Sequence, residues 1–348
     1  MCWIRFNKDT KDLLWERPLI GTVGGTNQTV WDNVGKMRNR GFEAEVSYNK
    51  SINKDFGFNV AFNMSAIKNK MTELDGDVSY IGLPTSVIHS LNFDQEVSRS
   101  AIGQPIGSFY AYKEDGLFQS EAEIKSYTNN KGELLQPNAK PGDIKFVDVN
   151  GDGVIDGNDR DYIGNPLPDV TAGLTLGVNF HNFDLSLFFQ GMFGNDVYDL
   201  TRYVGDFYNQ SQYNKNSRVV NAWTPTNTNT DIPRVTMDDP NNNIRPSSYY
   251  VQDASFVRLK NMKIGYSVPQ SILSKIKFNS LYIYAQATNL FTITGYDGID
   301  PEVGLQSYSS DYRNLDMGVD RGIYPLSRTF TFGVNVRFLI IKQQQTRI

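Results

Sequence analysis

One stretch of the chain carries oxygen-bearing residues at a spacing that suits a hard cation. It runs Phe146-Val147-Asp148-Val149-Asn150-Gly151-Asp152-Gly153-Val154-Ile155-Asp156-Gly157-Asn158-Asp159. Ca²⁺ takes roughly six to eight oxygens, and a loop with ligands at positions 1, 3, 5, 7, 9 and 12 supplies them from one turn of chain. Asp148, Asn150 and Asp152 occupy the first three of those positions, Val154 offers a carbonyl, Asp156 fills the ninth and Asp159 the twelfth. Gly153 stands where the sharp turn needs a residue without Cβ, and Ile155 can pin the loop to its support.

The spacing is that of an EF-hand or dockerin-type loop, although the helices that flank an EF-hand are not evident. Asp159 is a shorter arm than the usual Glu, which weakens bidentate binding. The competing reading is an Asp/Asn/Gly turn that needs no metal. A calcium ion here would stiffen a loop and has no catalytic role.

Other reactive residues are sparse. His89 and His181 lack Cys or carboxylate partners at metal-ligand spacing and read as ordinary strand and turn residues. There is no HExxH, no GxSxG elbow and no P-loop, so an enzyme is not expected. Tyr203, Phe207, Tyr208, Tyr213 and Trp223 in one long connection, with Tyr249 and Tyr250 in the next segment, could stack on sugars or grip a peptide, or simply pack the loops together.

The elements that would position these residues are strands. With 21 Phe, 19 Tyr and 29 Gly in 348 residues, the composition suits strands and tight turns. Mean hydropathy is −0.43, and no window approaches the ~18 consecutive apolar residues of a spanning helix. A membrane β-barrel passes that test unseen, because each strand shows lipid only every second residue. A net charge of −4 with scattered Lys and Arg leaves no basic footprint for nucleic acid. The single Cys2 excludes an internal disulfide and a Cys-rich metal cluster. Residues Met1 to Phe6 do not read as a secretory leader.

Period-2 alternation recurs in segments of about ten residues. Phe56, Phe58, Val60, Phe62 and Met64 alternate with Gly57, Asn59, Ala61 and Asn63; Val170, Ala172, Leu174, Leu176, Val178 and Phe180 alternate with Thr171, Gly173, Thr175, Gly177 and Asn179. The pattern returns in Phe42 to Tyr48 and in Leu326 to Phe338, where Phe330, Phe332, Val334, Val336 and Phe338 are the apolar set. Further strands are expected near Cys2 to Lys8, Val87 to Ala101, Gly107 to Leu117, Phe183 to Phe193, Ser255 to Tyr266 and Ser280 to Leu290, about ten in all.

Short turns near Asn49 to Asp55 and over Asn179 to Phe183 alternate with excursions at Gln119 to Asp169, Gly194 to Pro246 and Thr294 to Pro325. Compact soluble domains rarely carry such connections, whereas outer-membrane barrels pair short periplasmic turns with long outer loops. Phe180, Phe183, Tyr266, Phe291 and Phe338 fall at strand ends, where interfacial aromatic girdles lie. The fold class expected is all-β: an antiparallel transmembrane β-barrel. A soluble sandwich or propeller is the alternative left by periodicity alone.

Several motifs sharpen this. Residues Asn33-Val34-Gly35-Lys36-Met37-Arg38-Asn39-Arg40-Gly41-Phe42-Glu43, Gly103-Gln104-Pro105-Ile106-Gly107-Ser108-Phe109-Tyr110, Asp115-Gly116-Leu117-Phe118-Gln119, Ala222-Trp223-Thr224-Pro225, Asp231-Ile232-Pro233-Arg234, Ser255-Phe256-Val257-Arg258-Leu259-Lys260-Asn261, Ala287-Thr288-Asn289-Leu290-Phe291 and Gly298-Ile299-Asp300-Pro301-Glu302 stand in this order. Together they resemble the SusC/RagA-type TonB-dependent transporters of Bacteroidetes.

The resemblance implies the C-terminal part of a plugged barrel of about 22 strands, spanning residues 1–338, with 339–348 as an extension past the terminal aromatic equivalent to Phe338. It further implies multi-pass placement in the outer membrane, in contact with its lipid, and a SusD-like lipoprotein lid. Coupling to TonB would run through a plug outside this sequence, and the cargo would be an oligosaccharide or peptide. A soluble or surface-exposed β-rich glycan-binding module is the alternative function.

Overall fold

The computed structural model describes residues 1–18, 29–74, 78–82, 95–208, 214–276, 278–305 and 315–338. Eight long strands form one antiparallel sheet in chain order. They are β1 (Cys2–Pro18), β2 (Thr29–Ser51), β3 (Phe56–Leu74), β4 (Val170–Phe180), β5 (Phe183–Phe193), β6 (Phe256–Ser267), β7 (Phe278–Thr288) and β8 (Thr329–Phe338). A short ninth strand, Thr292–Thr294, pairs with the start of β6.

Register converts local alternation into two faces. Tyr48, Val60, Leu176, Leu187, Met262, Ala287 and Phe330 lie opposite one another in sequence across seven strands, giving one apolar row. One residue along, the row is Asn49, Asn59, Gly177, Ser186, Lys263, Gln286 and Thr331. A one-residue slip would exchange the two faces, so the hydrophobic pattern itself specifies the pairing.

Among the described residues the apolar face has no second sheet against it. On inner strands Phe62, Val178, Ile264 and Ile283 are exposed, and on edge strand β8 Phe332 reaches 81%. A soluble monomer rarely leaves a contiguous apolar patch beyond a few hundred Å². From Phe56 to Ala66 the face runs about 33 Å along β3, or about 25 Å along the membrane normal at a tilt near 40°, the height of a barrel's lipid belt. At its lower margin Phe56, Phe180, Phe183 and Tyr266 form a cross-strand row of rings, with Phe183 and Tyr266 centroids 4.7 Å apart. Phe278 and Phe338 add another such pair at 5.2 Å. Phe291 instead meets Phe189 towards the other end of the sheet.

Strands β4 to β8 are 10 to 12 residues long, close to one bilayer crossing, while β1 to β3 run 17 to 23 residues and project beyond it. Tight links join the sheet at one end. Ile52 to Asp55 turn by an Ile52 N–H to Phe56 carbonyl bond of 2.9 Å, and His181 takes φ +52 in the two-residue turn before β5. A helix, Gln270–Ile276, connects β6 to β7.

At the opposite end the long excursions fold together. They carry a four-stranded sheet (Tyr80–Gly82, Ser98–Ala101, Ser108–Tyr112, Arg160–Gly164), a three-stranded one (Val251–Asp253, Asp196–Asp199, Val319–Asp320) and the pair Glu114–Leu117 with Ile144–Phe146. Their shared core includes Phe109, Phe146, Tyr198, Tyr250 and Leu315, and reaches Met71 and Leu74 at the end of β3.

Two of the ten expected strands therefore differ from expectation. Gly107 to Leu117 breaks into two pieces belonging to separate small sheets. Of Val87 to Ala101, Ser98–Ala101 joins the four-stranded sheet and 87–94 lie outside the described residues. Alternation at Phe109 and Ala111, both buried, reports two unlike environments; here the apolar one is the loop core, not lipid.

Candidate transport surface

The polar face of the sheet presents a row of interacting side chains from β5 to β8. Lys263 Nζ lies 4.9 Å from the Tyr282 ring centre and 5.0 Å from that of Tyr284, and the two rings stack at 5.8 Å. Tyr282 donates its hydroxyl to Asp184 Oδ2 at 2.9 Å. Glycines make room: a Cβ on Gly265 would fall 2.0 Å from the Tyr282 oxygen, and one on Gly333 2.3 Å from the Tyr284 ring. The Tyr rings and the Lys263 ammonium give this face stacking surfaces and charge suited to a polar solute or a packed polar domain. Gly265 and Gly333 both lie opposite Tyr284, on either side of it, and Tyr282 reaches Gly265 diagonally; the sequence shows only the glycines in polar register, and the pairing comes from the sheet.

Above the sheet, the sequence motifs prove to be fasteners between distant segments. Arg258 donates to Asp300 at 2.6 Å, Glu302 at 2.9 Å and Thr292 at 2.7 Å, while Lys260 reaches Glu302 at 2.6 Å. Burial opposes ionisation of Asp300. Hydrogen bonds from Arg258 and from the Glu302 and Leu326 N–H groups, with the Arg258 charge, outweigh it and hold the carboxyl below its ordinary range. Arg258, Thr292 and Asp300 of this cluster also line a cleft of about 680 Å³ with Asn289, Tyr324 and Arg328. Trp223 donates its indole N–H to Gln119 at 3.0 Å, and Arg234 pairs with Asp143 at 2.6 Å. Asp115 pairs with Lys145 at 2.6 Å.

The loop aromatics divide between packing and surface. Tyr203, Phe207, Trp223, Tyr249 and Tyr250 are buried in the loop core, whereas Tyr208 is exposed beside the Lys215 ammonium at 5.3 Å. Tyr213 lies outside the described residues. Packing is thus what most of these rings do.

Nearly the whole chain has known counterparts. No family model matches it. It is 37% identical to TonB-dependent receptor P3 of Formosa agariphila over 94% of this chain and 31% of that protein. It is 27% identical to TonB-dependent receptor SusC of Bacteroides thetaiotaomicron over 95% of this chain and 29% of that protein. The solved RagAB peptide transporter superimposes on 95% of the chain and 32% of its own, at a TM-score of 0.70 and 23% identity, showing the same fold. Over nearly its whole length the chain is similar to TonB-dependent receptors, SusC among them, and shares the fold of the RagAB transporter. It spans about a third of the length of the curated relatives it matches, and those relatives are named as receptors rather than enzymes.

The calcium-type loop closes on its own hydrogen bonds. Asp148 accepts from the N–H groups of Gly151 at 2.8 Å and Gly153 at 2.9 Å, and Asp152 from Val154 at 3.0 Å. Asp156 caps a 3₁₀ turn, Gly157–Asp159, by accepting from Asn158 at 2.8 Å. Asp159 is buried and accepts from Val149 at 2.9 Å and Asp156 at 2.7 Å. Asn150 bonds Asp152 through its side-chain amide at 2.8 Å. Among the described residues no three acidic, His or Cys side chains converge on a point that could hold a metal ion. The residues of the motif are assembled into one loop, but their carboxylates face backbone donors. His181 sits in its turn with Asp55 at 3.6 Å, and His89 lies outside the described residues.

Proposed function

We propose that the chain is the C-terminal arc of an outer-membrane barrel that imports an oligosaccharide or peptide under TonB energy. The observation that carries this reading is the cross-strand register, which sets an uncovered apolar face about 25 Å tall against a polar one. Hydrocarbon satisfies the first face and a water-filled or plug-filled lumen the second. The chain's two edge strands, β1 and β8, would pair with the remaining strands of the cylinder, since an unpaired edge cannot be left in lipid. The fused loop domain would stand on the outer side beneath a SusD-like lipoprotein. The TonB contact would lie on a plug outside these residues.

In this reading the 148–159 loop holds calcium only as a stiffener of the outer domain, a proposal that rests on its spacing. The carboxylates would keep one lone pair for N–H donors and turn the other to the ion.

The full-length protein, expressed with its own leader and plug, tests the reading. It should enter the outer-membrane fraction, require detergent for extraction and support uptake that stops when TonB is removed. A product that stays in the aqueous phase, monodisperse and rich in strand, would overturn it and favour a surface glycan-binding module.

A further inference from the structure

The apolar face ends abruptly on β2 and β3, and beyond that margin the same face turns cationic. Phe42 lies opposite Ala66 at the top of the apolar face; two residues further along, Arg40 lies opposite Lys68, and two beyond that Arg38 lies opposite Lys70. On β1, Arg5, Asn7 and Asp9 take the same face, opposite Phe42, Arg40 and Arg38. Asp9 is committed to Arg38 at 2.5 Å and Asn7 to Arg40 at 3.0 Å. The three strands therefore present Arg5, Arg38, Arg40, Lys68 and Lys70 against one carboxylate. Clefts of about 960 and 530 Å³ adjoin it; Arg40 and Lys68 line both, with Arg5 and Asp169 at one and Lys70 at the other.

Like charges set directly across a strand pair repel, and this sheet stacks two such pairs one above the other. Among the described residues, only one of these four cations has an acidic partner on that face. An external anion removes the repulsion. Position says where the anion comes from. Two residues of strand advance about 7 Å, or about 5 Å along the normal at a tilt near 40°. That places Arg40 and Lys68 in the headgroup layer, which adds roughly 5 to 7 Å beyond the hydrocarbon on each side. The side chains point away from the lumen, so a solute in transit does not meet them.

We infer that Arg40, Lys68 and Lys70, with Arg5 beside them, form a docking site for a phosphate-bearing lipid headgroup of the leaflet that meets the loop domain. The acyl chains of such a lipid lie along Phe42, Ala44 and Val46, and its phosphate sits between the two cation pairs. This rests on the membrane reading above.

The test uses the full-length receptor purified in detergent and native mass spectrometry with added lipid A, lipid A stripped of its phosphates, and inorganic phosphate. The variant is R40Q/K68Q/K70Q, with K68R/K70R as the charge-preserving control. Each cation near a lipid surface is worth about a factor of five. The triple variant should lose binding of phosphorylated lipid A roughly 100-fold, the Arg control should retain it, and the dephosphorylated lipid should bind both proteins alike. Added salt should weaken the wild-type interaction.

Equal binding of both lipids to wild type, or unchanged binding to the triple variant, overturns the inference. So does displacement of the lipid by inorganic phosphate alone, or a variant that loses self-association while keeping its lipid. A melting temperature within a few degrees of wild type establishes that the variant is folded. Partition into the aqueous phase would instead mark failure of the membrane reading itself.

Discussion

Replacing Arg258 by Met probes whether the shared motifs act as fasteners. The guanidinium is 3% exposed and the Asp300 carboxyl 6%, and their bond of 2.6 Å joins β6 to a segment more than forty residues away. Removing one partner of a buried ion pair leaves the other charge uncompensated and costs about 3–5 kcal/mol. Here Glu302 also loses a partner but keeps Lys260 at 2.6 Å. The cost is local, so it should appear in amides held by Asp300: Glu302 N–H at 2.9 Å and Leu326 N–H at 3.1 Å. At about 1.4 kcal/mol per decade, their hydrogen exchange should accelerate by roughly two to three and a half orders of magnitude.

The pH dependence supplies a second check. In the wild type, Asp300 has a lowered folded-state pKa, so it contributes stability above the ordinary carboxylate range and loses it as pH falls through the lowered value. Without Arg258, burial prevails and raises that pKa. The defect of the variant should be largest at neutral pH and shrink on acidification as Asp300 takes up its proton. The double variant R258M/D300N should regain part of the protection, because the neutral amide leaves no uncompensated charge while its oxygen still accepts from one of the two N–H groups. Exchange at Glu302 and Leu326 that changes less than tenfold at neutral pH would refute the fastener argument.

Three more outcomes are expected in other parts of the molecule. Phe332→Arg, on the apolar face, should cost about 2–4 kcal/mol for folding into lipid vesicles, whereas Thr331→Arg, one residue along on the polar face, should cost little; equal penalties would mean the faces are misassigned. Trp223→Ala should destabilise the loop domain by about 3–5 kcal/mol, freeing Gln119 and opening the 222–234 segment to protease. A protease pattern identical to wild type would show that this ring does not hold the loops together. For the 148–159 loop, calcium should raise the melting temperature of the wild type and leave Asp152→Ala unmoved; melting curves that coincide with and without chelator would leave the loop as a self-closed turn.

Strand existence and facing were readable from local pattern, because a pleated chain sends successive side chains to opposite sides and the two sides of β3, β4 and β8 meet unlike media. Short turns were readable too, at Asn53 to Asp55 and His181-Asn182, since their geometry depends on neighbours in sequence. Which media lay on each side was not. Phe109 and Ala111 alternate like a membrane strand yet both are buried, Phe109 in a core built by segments far along the chain, including Tyr198 and Leu315.

The same limit hid the chemistry of the motifs. Asp300 and Arg258, or Gln119 and Trp223, read as separate short signatures, and only the paths of the long excursions bring them within bonding distance. Alternation is a one-residue property of the backbone and survives in the sequence. Partnership across forty to a hundred residues depends on how the loops close over the sheet end, and that is decided by the packing of the whole domain.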